Sequence, residues 1–210
     1  MAASEPDSAS RRAGACPPPS SFPERSSAGD ALLSEGNEAA QARSPFPRRE
    51  GGQGVRSLVI GLGNPILGDD GVGWRVAEDL GQIVAAEALT IEVDSLAVGG
   101  LSLMERMVGY DRVVVVDAIR MGTAPIGAVT LFPFRDLPDP GAGHLSSGHD
   151  ATLATALAAG RALGAELPDE SQIWIVAVEA ETVYDFSQEL TPPVEAAIPR
   201  AVQLALEALS

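Results

Sequence analysis

Leu58-Val59-Ile60-Gly61-Leu62-Gly63-Asn64-Pro65-Ile66-Leu67-Gly68-Asp69-Asp70-Gly71-Val72-Gly73 runs from an apolar segment through a glycine-rich turn to two adjacent acids. Val59 and Ile60 are β-branched, and glycines bound the run, so it reads as a buried strand at about 56–62. Beyond Gly73, the apolar positions Val76, Ala77, Leu80, Ile83 and Val84 recur at helical spacing, giving a helix at about 71–86. The acids therefore sit where a strand gives way to a helix. In open α/β sheets, ligand sites form at the carboxyl ends of strands.

Working outward, Ile91-Glu92-Val93-Asp94 reads as a second strand, and Gly99-Gly100 precedes a short helix through Leu101, Met104 and Met107. Val113-Val114-Val115-Val116, ending in Asp117, suits a central parallel strand covered on both faces. A strand at Gly127 to Phe134 and a loop with Gly141, Gly143 and Gly148 lead to a helix at about 150–163, with Gly164 closing it. Ile173 to Val178 is the last strand. Thr191 and Pro192 open a final helix to about 209, which Pro199 is expected to kink. The order β-α-β-α-β-β-α-β-α predicts an α/β fold, a twisted, mostly parallel sheet of about five strands between helix layers.

The 210-residue chain has a net charge of −15, and its 14 cations are all arginine. Residues 1–50 hold six Arg against seven acids, so nearly all the negative excess lies in the rest. That balance disfavours polyanionic ligands such as nucleic acid, which are held by Lys and Arg. Residues 1–54 are rich in Ala, Ser, Pro, Gly and Arg, with no apolar period, and are expected to be a disordered tail before a domain at 55–210. Cys16 is the sole cysteine, so one chain builds neither a disulfide nor a thiolate metal site. No apolar run approaches the ~20 residues of a membrane span. Arg11-Arg12 lacks the apolar segment of an export signal. A cytoplasmic, monomeric protein is expected.

Asp69 and Asp70 follow the first strand and Asp117 the third; His144 and His149, the only histidines, precede a helix. Two carboxylates and an imidazole suit a borderline divalent ion such as zinc or nickel and leave a position open for water or substrate. Plainer readings stand beside this one. Asp69 or Asp70 fits a helix cap, Asp117 a solvated strand end, His149 or Asp150 a cap for the next helix, and Asp94 a turn. Gly61 and Gly63 also fit the first two glycines of a dinucleotide-binding turn. Ile66 occupies the third glycine's place, however, and two acids near the helix start repel a pyrophosphate.

From about Val55 to Leu209 the pattern resembles the nickel–iron hydrogenase maturation endopeptidases. The resemblance is carried by Gly61-Leu62-Gly63-Asn64 with Asp69-Asp70-Gly71-Val72-Gly73, by Val116-Asp117-Ala118, by Ser147-Gly148-His149-Asp150 and by Glu189-Leu190-Thr191-Pro192. It implies a phosphorylase/hydrolase-like fold and Asp70, Asp117 and His149 as metal-binding, catalytic residues, with Asp69 as their hydrogen-bonded neighbour or a base. It also implies aspartic-type endopeptidase activity: removal of the C-terminal extension of a hydrogenase large-subunit precursor after nickel insertion. Nickel then comes bound to the substrate, with zinc or cadmium able to replace it in the isolated protein. Asp94 matches a recurrent family aspartate, and His144 has no counterpart. Gly61–Pro65 also matches the opening of peptidyl-tRNA hydrolases, but Leu67-Gly68-Asp69-Asp70 stands where they need a Thr-Arg-His-Asn-like segment. A non-catalytic hydrogenase assembly scaffold is the third alternative.

Overall fold

The structure, a computed structural model, describes Phe46 and residues 54–137, 152–181 and 186–210. The chain divides into Met1–Gln41 and Ala42–Ser210, and all the described residues belong to the second unit. The expected tail falls mostly outside the described residues. Phe46, within that stretch, packs against the core.

The elements follow the expected order: β1 (Ser57–Leu62), α1 (Val72–Glu87), β2 (Ile91–Leu96), α2 (Gly100–Met107), β3 (Arg112–Ile119), β4 (Val129–Pro133), α3 (Leu153–Ala162), β5 (Ile173–Glu179) and α4 (Pro192–Glu207). The sheet order is β2-β1-β3-β5-β4, with β4 antiparallel to β5 and every other pairing parallel. A fully parallel interior requires cover on both faces, and alternate residues of the central strands supply the two apolar surfaces. Leu58, Ile60, Val113, Val115, Ile173 and Ile175 meet Leu103 and Met107 of α2 and Leu153 and Leu157 of α3. Val59, Val114, Val116, Val176 and Val178 meet Val72, Val76 and Leu80 of α1 and Val194, Ala201 and Ala205 of α4. Among the described residues, no helix is long and apolar enough to cross a membrane.

The ends of elements differ from the sequence reading in informative ways. β3 runs two residues past Asp117, which is therefore a strand residue and not the first residue after one. α3 starts at Leu153, and Thr152 is its cap, its hydroxyl accepting from the Thr155 N–H at 3.3 Å. Neither His149 nor Asp150 has that role. α1 begins after Gly71, which caps it with backbone alone, so neither Asp69 nor Asp70 caps α1. α4 continues through Pro199.

The approach of α1 to the sheet places the acids. A Cβ on Gly73 would lie 2.3 Å from the Leu62 carbonyl oxygen and 2.6 Å from that of Val116. The first turn of α1 thus lies directly across the carboxyl ends of β1 and β3, at a distance that only a residue without a side chain allows. Gly81, on the same helix, has nothing within 4 Å of its Cβ position. Alanine substitutions at the two sites should have opposite signs. Gly73→Ala should destabilise by about 1–3 kcal/mol or more, because backbone must shift to admit a methyl group. Gly81→Ala should stabilise by up to about 1 kcal/mol through helix propensity. Chemical denaturation of both variants checks the contrast.

Candidate active site

Between β1 and α1 the chain makes a single 3-10 turn, Gly68–Gly71, all of it buried. Asp69 and Asp70 lie in this turn at 1% and 0% exposure, and Asp117 on β3 is exposed by 1%. Burying carboxylates is costly unless they are hydrogen-bonded or bind a cation. The two adjacent acids meet this demand differently.

Asp70 points back at the end of β1. Its Oδ2 accepts from the Asn64 N–H at 2.6 Å. Gly63, with φ at +127°, makes that approach possible, since a Cβ there would lie 1.9 Å from the Asp70 carbonyl oxygen. The turn packs against β3 as well as α1. Gly61 pairs with Val116 across β1 and β3, so Asp117 is one step beyond that pair, at the same end of the sheet. Asp117 has the parity of Val113, Val115 and Ile119 and so belongs to the face covered by α2 and α3.

Asp69 turns the other way, towards the C-terminal part of the chain. Its Oδ1 accepts from the Thr191 N–H at 2.6 Å and its Oδ2 from the Thr191 hydroxyl at 2.9 Å. The same two segments also share backbone bonds. Gly68 N–H donates to the Ser187 carbonyl at 2.7 Å, and Ser187 N–H to the Ile66 carbonyl at 3.1 Å. Arg75 of α1 adds a longer bond to the Gln188 carbonyl. The Glu189-Leu190-Thr191-Pro192 stretch is thus bound to the acid-bearing turn.

Of the predicted residues, the structure brings Asp69, Asp70 and Asp117 to one end of neighbouring strands. His149 and His144 lie outside the described residues. Among the described residues, no group of three His, Cys, Asp or Glu side chains is arranged to hold a metal ion. The carboxylate oxygens of Asp70 and Asp117 are hard donors, of the kind that ligate divalent cations.

Asp94 lies on β2, the edge strand, and not in a turn after it. Arg106 of α2 donates from Nε to Asp94 and from Nη2 to Glu92 at 3.2 Å, while its Nη1 reaches the Tyr110 hydroxyl at 2.8 Å. The Tyr110 hydroxyl closes the cluster on Glu92. Partial burial works against the Asp94 charge. The Arg106 hydrogen bond, the Ser95 N–H and the Arg106 charge together outweigh that effect and hold the carboxyl below its usual value.

Sequence reasoning overlooked Glu179. It ends β5, is buried, and accepts the Gly122 N–H on Oε1 at 2.7 Å. It has the parity of Ile173, Ile175 and Ala177, hence the Asp117 face. The available signal was a single acid closing the otherwise apolar Ile173-Trp174-Ile175-Val176-Ala177-Val178 run.

A family model described as hydrogenase maturation protease matches residues 74–208. The hydrogenase 2 maturation protease of Escherichia coli K12 is 30% identical over 155 residues, covering 74% of this chain and 91% of that protein. The hydrogenase expression/formation protein HupD of Rhizobium leguminosarum is 29% identical over 156 residues, with 73% and 74% covered. Among solved structures, the hydrogenase maturating endopeptidase HybD from E. coli superposes with a TM-score of 0.55 at 29% identity, covering 74% of this chain and 92% of that one.

Because the folded Asp94 carboxyl has a lowered pKa, its stabilising contribution is fully present above the unfolded value of 3.8 and is lost as pH falls through the folded value. The stability advantage of the wild type over Asp94→Asn should therefore hold near neutrality and shrink as pH falls below the unfolded value of 3.8, as followed by denaturant titration.

Proposed function

Since this chain belongs to the hydrogenase maturation protease family and is therefore an endopeptidase, we propose that it removes the C-terminal extension of a nickel–iron hydrogenase large-subunit precursor, using substrate-borne nickel as its recognition element. The observation that supports this reading is the burial of Asp70 and Asp117 at the carboxyl ends of adjacent strands, where an open α/β sheet binds its ligand. Asp70, Asp117 and His149 are the groups that meet the ion. Three ligands without a thiolate bind nickel or zinc weakly, so the isolated protein should hold either one loosely. In the precursor, the ion comes with the substrate's cysteines, and the three side chains complete its coordination from the other side.

The reaction itself is hydrolysis. A water molecule adds to the scissile carbonyl carbon, the C–N bond breaks, and the departing nitrogen takes up a proton. The enzyme's part is to hold the carbonyl in place for attack, and such positioning accounts for a large share of catalysis. Without the ion, nothing fixes the precursor's tail against Asp70 and Asp117. Cleavage then reports that nickel insertion is complete. A cytoplasmic monomer acting on a folded precursor fits this role.

Mass spectrometry of purified precursor, prepared with and without nickel and incubated with chelator-treated enzyme, tests the reading. Only the nickel-loaded precursor should lose its extension. Equal cleavage of both forms would refute the recognition role, and restoration by zinc alone on nickel-free precursor would make the protein an ordinary metalloprotease. Asp70→Asn and His149→Ala should each abolish cleavage with the fold intact by circular dichroism, and His144→Ala should be milder.

A further inference from the structure

We propose that Thr191 is a positioning residue for peptide cleavage: by donating to both oxygens of Asp69, it fixes the turn from which Asp70 reaches its site. This inference rests on the role given to Asp70 above, but its geometry stands apart from that role.

The caps around the turn are made by backbone alone. Leu67, before Gly68–Gly71, makes no side-chain capping bond, and neither does Gly71 before α1. On the β1 side the turn is anchored by the Asp70–Asn64 bond and by the Leu67 N–H, which donates to the Asn64 carbonyl. On the other side it is held by the strap at 187–191, through the Gly68–Ser187 and Ser187–Ile66 backbone bonds and the paired Thr191–Asp69 contacts.

The residues that follow Thr191 favour this. It occupies the cap position of α4, where a threonine hydroxyl ordinarily accepts from the second or third helical N–H. Here Pro192 and Pro193 fill the first two helical positions and carry no N–H, which leaves the Val194 N–H as the one such donor. The Thr191 side chain makes no capping bond and donates to Asp69 instead. In a capping box, the third helical residue is Glu or Gln and accepts the N–H of the cap residue. In α4 that position is Val194, which has no acceptor. Asp69, 122 residues away, accepts the Thr191 N–H in its place. A carboxylate beside a helix N-terminus is also favoured by the helix dipole. The capping chemistry expected of Asp69 is thus present, but it is directed to α4 and not to α1.

This arrangement gives the adjacent acids separate duties. Asp69 is 1% exposed, and each of its oxygens receives a bond from Thr191, so it anchors the turn and does not act as a base. Asp70, the next residue, is aimed by that anchor. Residues that orient a metal-binding group through hydrogen bonds typically contribute about 10- to 100-fold to activity.

The test compares Thr191→Val, Thr191→Ser, Asp69→Asn and Asp69→Ala in steady-state cleavage of nickel-loaded precursor and in amide hydrogen exchange at Gly68 and Asp70. Valine keeps the size and the N–H but loses the hydroxyl. Thr191→Val should lower kcat by about 10- to 100-fold with KM changed by less than about threefold, and should speed exchange at both amides. Serine restores the hydroxyl and should recover both readouts. Asp69→Asn keeps an acceptor for the N–H and a partner for the hydroxyl, so it should cleave faster than Asp69→Ala. Wild-type kinetics in Thr191→Val, or equal losses in the valine and serine variants, would overturn the proposal. So would equal inactivity of Asp69→Asn and Asp69→Ala, which would show a need for the charge itself. If Thr191→Val proves too unstable to assay, Asp69→Ala replaces it in the exchange arm: faster exchange at Gly68 than in Asp69→Asn supports the clamp, and equal protection in the two overturns it. A wild-type enzyme that leaves the precursor uncut would defeat the functional reading, while the exchange arm would still judge the clamp.

Discussion

The contact between the first turn of α1 and the ends of β1 and β3 is the constraint on which the site depends. At Gly73 the helix backbone meets the Leu62 and Val116 carbonyls with no room for a side chain. That closeness forces the preceding residues into one tight 3-10 turn and buries all four of them. Two acids forced into such a turn cannot both remain solvated, so each must find partners inside the protein. Asp70 finds the end of β1, and Asp69 finds the start of α4. The chemistry of the site is in this sense a product of backbone packing, with the glycines deciding how near a helix comes to a sheet.

Most of the fold was legible because its signals are local. The Val113–Val116 run, the glycine-flanked Leu58–Leu62 segment and the period of Val76, Ala77 and Leu80 all correspond to elements of the right type and in the right order. Element ends were less legible. Nothing in a four-valine run indicates that β3 continues through Asp117 to Ile119, because the pairing with β5 extends it: Ala118 faces Val178 and Ile119 faces Glu179. The cap of α3 was misplaced for a related reason. Thr152, Asp150 and His149 all suit a cap, and sequence alone does not say which of them the first helical turn will meet.

The site was legible as a set of acids but not as a set of jobs. Asp69 and Asp70 are chemically the same residue in adjacent positions, and their difference comes from what the fold brings to each. Thr191 does occupy the cap position of α4, but its side chain serves Asp69 and not the helix, and Pro193 had already removed one of the two N–H donors that a capping hydroxyl serves. Asp94 shows the same limit at the sheet edge. It appeared to end a strand, yet its carboxylate belongs to an arginine-centred cluster that ties β2 to α2. Glu179 was overlooked because a lone acid at the end of an apolar strand carries no signal of whether water or protein will receive it.

The bond between Asp69 and Thr191 joins parts of the chain 122 residues apart, and that separation bears on how the protein is made. Domains emerge from synthesis N-terminal end first, and a contact of long sequence separation forms only once both of its ends exist. β1 and α1 can associate early, since they adjoin in sequence, but the turn between them lacks its strap until residues 187–191 have been translated and α4 has packed on the sheet. A nascent or truncated chain therefore carries Asp70 in an unfinished turn. For a peptide-bond-cutting enzyme this is a built-in delay: the turn that carries Asp70 gains its strap only after residues 187–191 have been made, more than a hundred residues after the turn itself.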